Sequence, residues 1–162
     1  MKKTVVFLIL LVVVSSSCSK TEPAMLTEEQ KQVIINEVEV VDTAIADRLN
    51  NKDAESAFGY FNENNFLKFI DNGHLMTDLN SVTSVFAERF AKFESVELLF
   101  ADRQYSVLTS TLVLSTASFK EEVISYDRDT INLNGAITTL FQKSDDSWQI
   151  LHIHQSYFPV SK

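Results

Sequence analysis

The chain has 162 residues, 22 acidic against 14 basic side chains, and a formal net charge of −8. That acidic balance repels phosphate backbones and excludes nucleic acid as a partner. One cysteine excludes an intramolecular disulfide, and three glycines, none in a phosphate-cradling pattern, exclude Rossmann and P-loop nucleotide sites.

The N-terminus reads Met1-Lys2-Lys3 and then runs without a charge from Val5 to Val14. Two lysines before an apolar run of about 10 residues fit a secretory signal, because a spanning helix needs about 20. Val14-Ser15-Ser16-Ser17-Cys18 follows and resembles a bacterial lipobox, with Ser15 where leucine is usual. The resemblance implies a signal peptide over 1–17 and a lipid on Cys18. An ordinary signal peptide cleaved near Ser17 is the alternative. Loss of Lys2 and Lys3 takes the formal charge from −8 to −10, so acyl chains rather than a basic patch hold the protein at a membrane. Ser19 after the cysteine, with no aspartate there, resembles the outer-membrane sorting pattern of enterobacterial lipoproteins. The expected location is therefore the bacterial cell envelope, outer membrane over inner.

Residues 18–26, polar and broken by Pro23, read as a tether to one domain over 27–162. Thr27 with Gln30 forms a capping box. Ile34, Val38, Val41, Ile45 and Leu49 then make the seam of a long amphipathic helix, with Glu37, Asp42 and Arg48 turned outward. Asp53 caps a short second helix with Ala54, Ala57, Phe58 and Phe61 on one face. Residues 66–71 read as a strand entering an Asn72-Gly73 hairpin, with His74-Leu75-Met76 as the return arm. Thr77 or Asp78 caps a third helix, whose stripe is Val82, Val85, Phe86, Phe90 and Phe93.

From Ser95 onward the chain reads as strand: 95–107, 109–126, 130–143 and 147–158, joined at Ser106, Asp127-Arg128-Asp129 and Ser144-Asp145-Asp146-Ser147. Strands this long form an antiparallel meander that must bend to pack on helices. In the last strand, period-two alternation puts Trp148, Ile150, His152, His154, Ser156 and Phe158 on one face, the expected wall of a cavity.

This order of elements resembles the nuclear transport factor 2-like superfamily, in particular SnoaL-like domains and the association domain of calcium/calmodulin-dependent kinase. The residues that carry the resemblance are Asn51-Lys52-Asp53-Ala54, Phe69-Ile70-Asp71 and Trp148-x-Ile150-x-His152-x-His154-x-Ser156. It implies an α+β cone, in which a strongly curved antiparallel sheet wraps the long first helix and leaves a deep pocket. It also implies homodimers through the outer face of the sheet, around Leu112 and Leu114. Thr139 stands where association domains carry a pocket arginine, and Tyr157-Phe158-Pro159 replaces their Gly-Ala-Pro run.

On this reading the ligand-facing candidates are His152, His154, Ser156, Trp148, Thr139, Phe141 and Tyr60. His152, His154 and Asp71 are the candidates for acid–base work. Trp148 and Phe141 read more readily as core than as a ligand platform, and Asp71 more readily as a turn residue than as a base. His-x-His supplies two metal ligands, but a third has only His74 or Asp71 to come from, so no metal site and no cofactor are expected. Three functions stay open: a lipid-anchored module binding a small, mostly apolar ligand; a dimerisation or scaffold domain with a filled cone; and an isomerase-, cyclase- or dehydratase-like acid/base enzyme.

Overall fold

Thr27 opens the first helix with a reciprocal cap. Its Oγ1 accepts from the Gln30 amide at 3.2 Å, and Gln30 Oε1 accepts from the Thr27 amide at 2.9 Å. The computed structural model describes residues 25–62 and 68–160. The expected signal peptide, Cys18 and most of the tether lie outside the described residues. Helix α1 (Glu28–Asn50) is followed by α2 (Ala54–Phe58), strands β1 (Lys68–Asp71) and β2 (His74–Met76), and helix α3 (Leu79–Phe90). Strands β3 (Phe93–Thr109), β4 (Leu112–Ser125), β5 (Thr130–Ser144) and β6 (Ser147–Pro159) complete the chain. Asp53 and Asp78 cap α2 and α3 through the Ser56 and Ser81 amides, at 3.0 and 2.8 Å.

All six strands join one sheet in the order β2-β1-β6-β5-β4-β3. The pairings are antiparallel except for β1 with β6, which run parallel. Asn72 and Gly73 take positive φ values of 48° and 87° in the β1–β2 turn, as a type I′ hairpin requires. The curved, unclosed sheet wraps α1 as the cone-shaped α+β architecture demands. Ile34, Val38 and Ile45 of α1 are buried with Val113, Phe141, Trp148 and Ile150 in one core.

Both ends of α1 are tied to the sheet. Glu37 accepts hydrogen bonds from Trp148 Nε1 at 2.8 Å and Lys143 Nζ at 2.7 Å, which fixes the helix to the β5–β6 hairpin. Asn50 exchanges two bonds with the backbone of Leu98, at 3.2 and 2.6 Å. Because β3 is an edge strand, this side-chain amide satisfies backbone groups that would otherwise invite another strand.

Four local expectations change. The third helix ends at Phe90, and Phe93 opens β3 instead of closing the helical stripe. The β3–β4 turn lies at Ser110-Thr111, not at Ser106. Asp42 of α1 is turned toward the sheet rather than outward, with its side chain 12% exposed. Most consequential are bulges that the alternation does not reveal. In β6 the register steps from Phe141↔Ile150 to Leu140↔His152, leaving Leu151 without a partner residue. In β3 it slips between Ala101 and Gln104, where Asp102 has a φ of 52°. A bulge bends the strand and inverts side-chain parity beyond it.

Gly135 in β5 is required by packing. A Cβ there would collide with the Phe119 ring and the Ser156 carbonyl. Gly135→Ala is expected to displace Phe119 and cost about 1–3 kcal/mol, read as a lower urea midpoint.

Candidate functional site

Partners across a sheet share a face, so the registers arrange the inner side chains in rows. One row holds Leu98, Glu121 and Leu133, and the next Phe100, Phe119, Gly135 and Tyr157. Then come Ala117, Ile137, Gln155 and Asp71, followed by Tyr105, Ser115, Thr139, Ile153 and Phe69. Over these rows lie Ile45 and Leu49 of α1, Phe58 of α2, and Phe86 and Phe90 of α3, and between the two layers is a cavity of about 360 Å³. Its most exposed lining residues are Lys92 and Ile131, which places the opening between the end of α3 and the start of β5.

The wall is mainly aromatic and aliphatic, with polar groups gathered at two places. Near the opening, Arg89 Nη2 meets Asp71 Oδ2 at 2.7 Å, and Gln155 Nε2 donates to Asp71 Oδ1 at 3.0 Å. The Tyr157 phenol lies beside this pair, within reach of both charges. Asp71 is 1% exposed, so this pair is a buried carboxylate held by a partly solvated guanidinium. Burial, then the Asp71 charge, pushes the Tyr157 phenol up from its ordinary value. Glu121 projects from the row beside this quartet. Burial raises its pKa, with the Arg89 charge pulling the other way.

The second polar group closes the far side. Asp42 Oδ2 meets Arg103 Nη1 at 3.0 Å, accepts from Tyr105 Oη at 3.1 Å, and has Ser115 Oγ at 3.5 Å. Arg103 also stacks on Phe100, with 4.2 Å from its guanidinium carbon to the ring centroid. Burial outweighs the Arg103 charge and raises the Asp42 pKa, while Tyr105 is pushed up to about 12, first by burial and then by Asp42.

The β6 bulge redistributes the expected site. Trp148 and Ile150 face inward, but beyond Leu151 the inward set becomes Ile153, Gln155 and Tyr157. His152, His154 and Ser156 therefore point to the outer face, with His154 and Ser156 exposed and His152 half-buried. They do not line the cavity. Of the other expected residues, Thr139 lines it. Phe141 is wholly buried in the core, and Trp148 and Tyr60 border a separate open groove beside Glu37 and Lys143. Asp71 stands behind Arg89 and Tyr157 rather than on the wall. Among the described residues no three His, Cys, Asp or Glu side chains are grouped to hold a metal.

Two polar lining residues left a trace in the sequence. Glu121 interrupts the apolar parity Val113, Ala117, Phe119, Val123 of β4, and Arg89 falls inside the stripe Val82, Phe86, Phe90 of α3. Arg89→Leu, which strands Asp71 as a buried unpaired carboxylate, is expected to cost about 3 kcal/mol. The double variant Arg89→Leu/Asp71→Leu should recover part of that loss, and the double-mutant cycle in urea measures the coupling.

Comparison with known proteins agrees with this geometry. The family model for the SnoaL-like domain matches residues 38–161. No curated protein matches the sequence. Among solved structures, a scytalone dehydratase candidate from Novosphingobium aromaticivorans superposes with a TM-score of 0.72 at 11% identity, covering 83% of this chain and 89% of that one. A nuclear transport factor 2-like superfamily protein from Salmonella enterica gives 0.69 at 14% identity, over 82% and 94%. A candidate calcium/calmodulin-dependent protein kinase II association domain from Xanthomonas campestris gives 0.67 at 12%, over 77% and 88%. At such identities the likeness is one of fold. With its cone, its inner rows and this match, the chain belongs to the SnoaL-like family, on the nuclear transport factor 2-like fold.

Proposed function

We propose that the protein is a lipid-anchored envelope protein whose cone binds a small, mostly apolar molecule. The observation that carries this reading is the cavity of about 360 Å³, walled by Phe, Leu, Ile and Val with a few polar groups converging near its opening. Sites for small ligands have this size and this division of labour, in which apolar walls supply affinity and few polar groups set orientation. The anchor belongs to the same proposal and rests on the charge-free run 5–14 before Ser15-Ser16-Ser17-Cys18. A homodimer through the outer face is part of it too. Leu99, Leu108 and Phe158 lie exposed at 56%, 53% and 61%, and Leu114 belongs to the same strand parity as the outward set.

An acid/base enzyme is the second reading, favoured by one feature: Glu121 stands beside Arg89 and Tyr157 with its pKa raised. Such a carboxylate takes a proton from a carbon next to a carbonyl, while an N–H or O–H donor stabilises the developing oxyanion. Two structural neighbours carry the name of candidate dehydratases. His152, His154 and Asp71 give way to Glu121 in that role, since none of the three lines the cavity.

A solvatochromic neutral dye such as Nile red tests the binding reading. Saturable one-site blue-shifted fluorescence is expected for the wild type and for His154→Ala, whose side chain lies on the other face. Leu133→Trp, which fills the cavity, is expected to abolish it. A wild-type protein that takes up no dye has a filled cone and serves as a scaffold. Cys18→Ser is expected to release the full chain from the membrane fraction, checked by fractionation and by the mass of the mature N-terminus.

A further inference from the structure

The polar groups near the opening do not all satisfy one another. Asp71, Arg89 and Gln155 form a closed set in which the positive and negative charges cancel, with the Tyr157 phenol beside them. Glu121 is left over. No hydrogen bond or ion pair among the described residues reaches its carboxyl, although Arg89 and Asp71 lie close enough to act on it through their fields. It projects inward between Phe119 and Val123, across from Leu98 and Leu133. A carboxyl held in an apolar wall without a partner costs stability. An occupant that carries the complementary group offsets that cost.

Three observations fix the sign of the occupant. Inside the cavity the Asp71–Arg89 and Asp42–Arg103 pairs each cancel, so ionised Glu121 leaves one negative charge; Lys92 stands at the solvent-exposed lip, and the chain as a whole is at −8. An anionic ligand meets that charge, and a neutral one leaves it uncompensated. The aromatic lining suits a cation, because ring faces attract positive charge. Arg89 already lies over Phe86, 5.1 Å from guanidinium carbon to ring centroid. Resting on the binding reading above, we propose that the ligand is an apolar amine, with its hydrocarbon or aryl body among the Phe side chains and its ammonium group on Glu121.

Displacement of Nile red by three shape-matched probes (naphthylmethylamine, naphthylmethanol and naphthoate) tests this. The amine is expected to bind about 10- to 100-fold more tightly than the alcohol, the range of a charge-assisted hydrogen bond, with naphthoate weakest. The pH dependence has a defined sign. The amine stays protonated up to about pH 9, and binding requires ionised Glu121. Its affinity therefore rises as pH climbs through the raised titration of Glu121 and is flat above it. Binding also releases protons inside that window, measured by calorimetry in buffers of different ionisation heat.

In Glu121→Gln the preference for amine over alcohol should vanish. That variant should also be more stable than the wild type at neutral pH, with the gain fading in acid, where both side chains are neutral. Equal affinities for amine and alcohol in the wild type overturn the amine assignment while the cavity keeps its binding role. If neither the dye nor any of the probes enters, it is the binding reading that fails.

Discussion

A sheet of long strands has to bend sharply to enclose a helix, and every other feature of this molecule answers to that bend. Regular pleating alone leaves such strands too flat. The curvature is taken up where β3 slips near Asp102 and where β6 carries the extra Leu151. Each irregularity also exchanges the two faces of its strand from that point on. The same residue that lets β6 curve thus puts Gln155 and Tyr157 inside and His152 and His154 outside. Curvature and cavity chemistry are set by one backbone device.

The two polar groupings share a construction. Each places a carboxylate against an arginine and then adds neutral donors: Gln155 on Asp71, with Tyr157 alongside, and Tyr105 and Ser115 on Asp42. Buried ion pairs contribute little to stability unless their remaining valences are filled; the neutral partners serve the carboxylates, while Arg103 Nε stays buried without a hydrogen-bond partner among the described residues. Arg89 and Asp71 also join α3 to β1, while Asp42 and Arg103 join α1 to β3. The polar groups therefore hold the layers around the cavity in place. Glu121, outside both sets, lines the cavity with no hydrogen bond or ion pair to its carboxyl among the described residues.

Much of the architecture was legible because it rests on local rules. Thr27 with Gln30, Asp53, Asp78 and Asn72-Gly73 mark element ends by hydrogen bonding and backbone preference within a few residues. The seam Ile34, Val38, Ile45 follows helical period alone. The site was less legible because it depends on parity carried along strands. One residue at Leu151 reverses that count, and nothing in Gln149-Ile150-Leu151-His152 distinguishes the unpaired position from its neighbours. Asp42 was misplaced for a different reason. It lies four residues after Val38 and so falls on the buried side of α1, but a lone carboxylate there reads as surface until Arg103 and Tyr105 are known to meet it. Glu121 and Arg89 were readable as breaks in apolar patterns. Their partnership was not, since β4 and α3 are far apart in sequence.

Gly135 has one more implication. The Phe119 ring lies over a position that has no side chain, and the Tyr157 ring sits with its centroid 6.5 Å from that of Phe119. The breadth of the hollow at this level is therefore governed by how far a single benzyl group leans across bare backbone. Graded replacement of Phe119 by Leu, Val and Ala would widen the chamber in steps while leaving the rim chemistry in place. The fold thus carries its own gauge for the girth of what it admits, separate from the groups that read its charge.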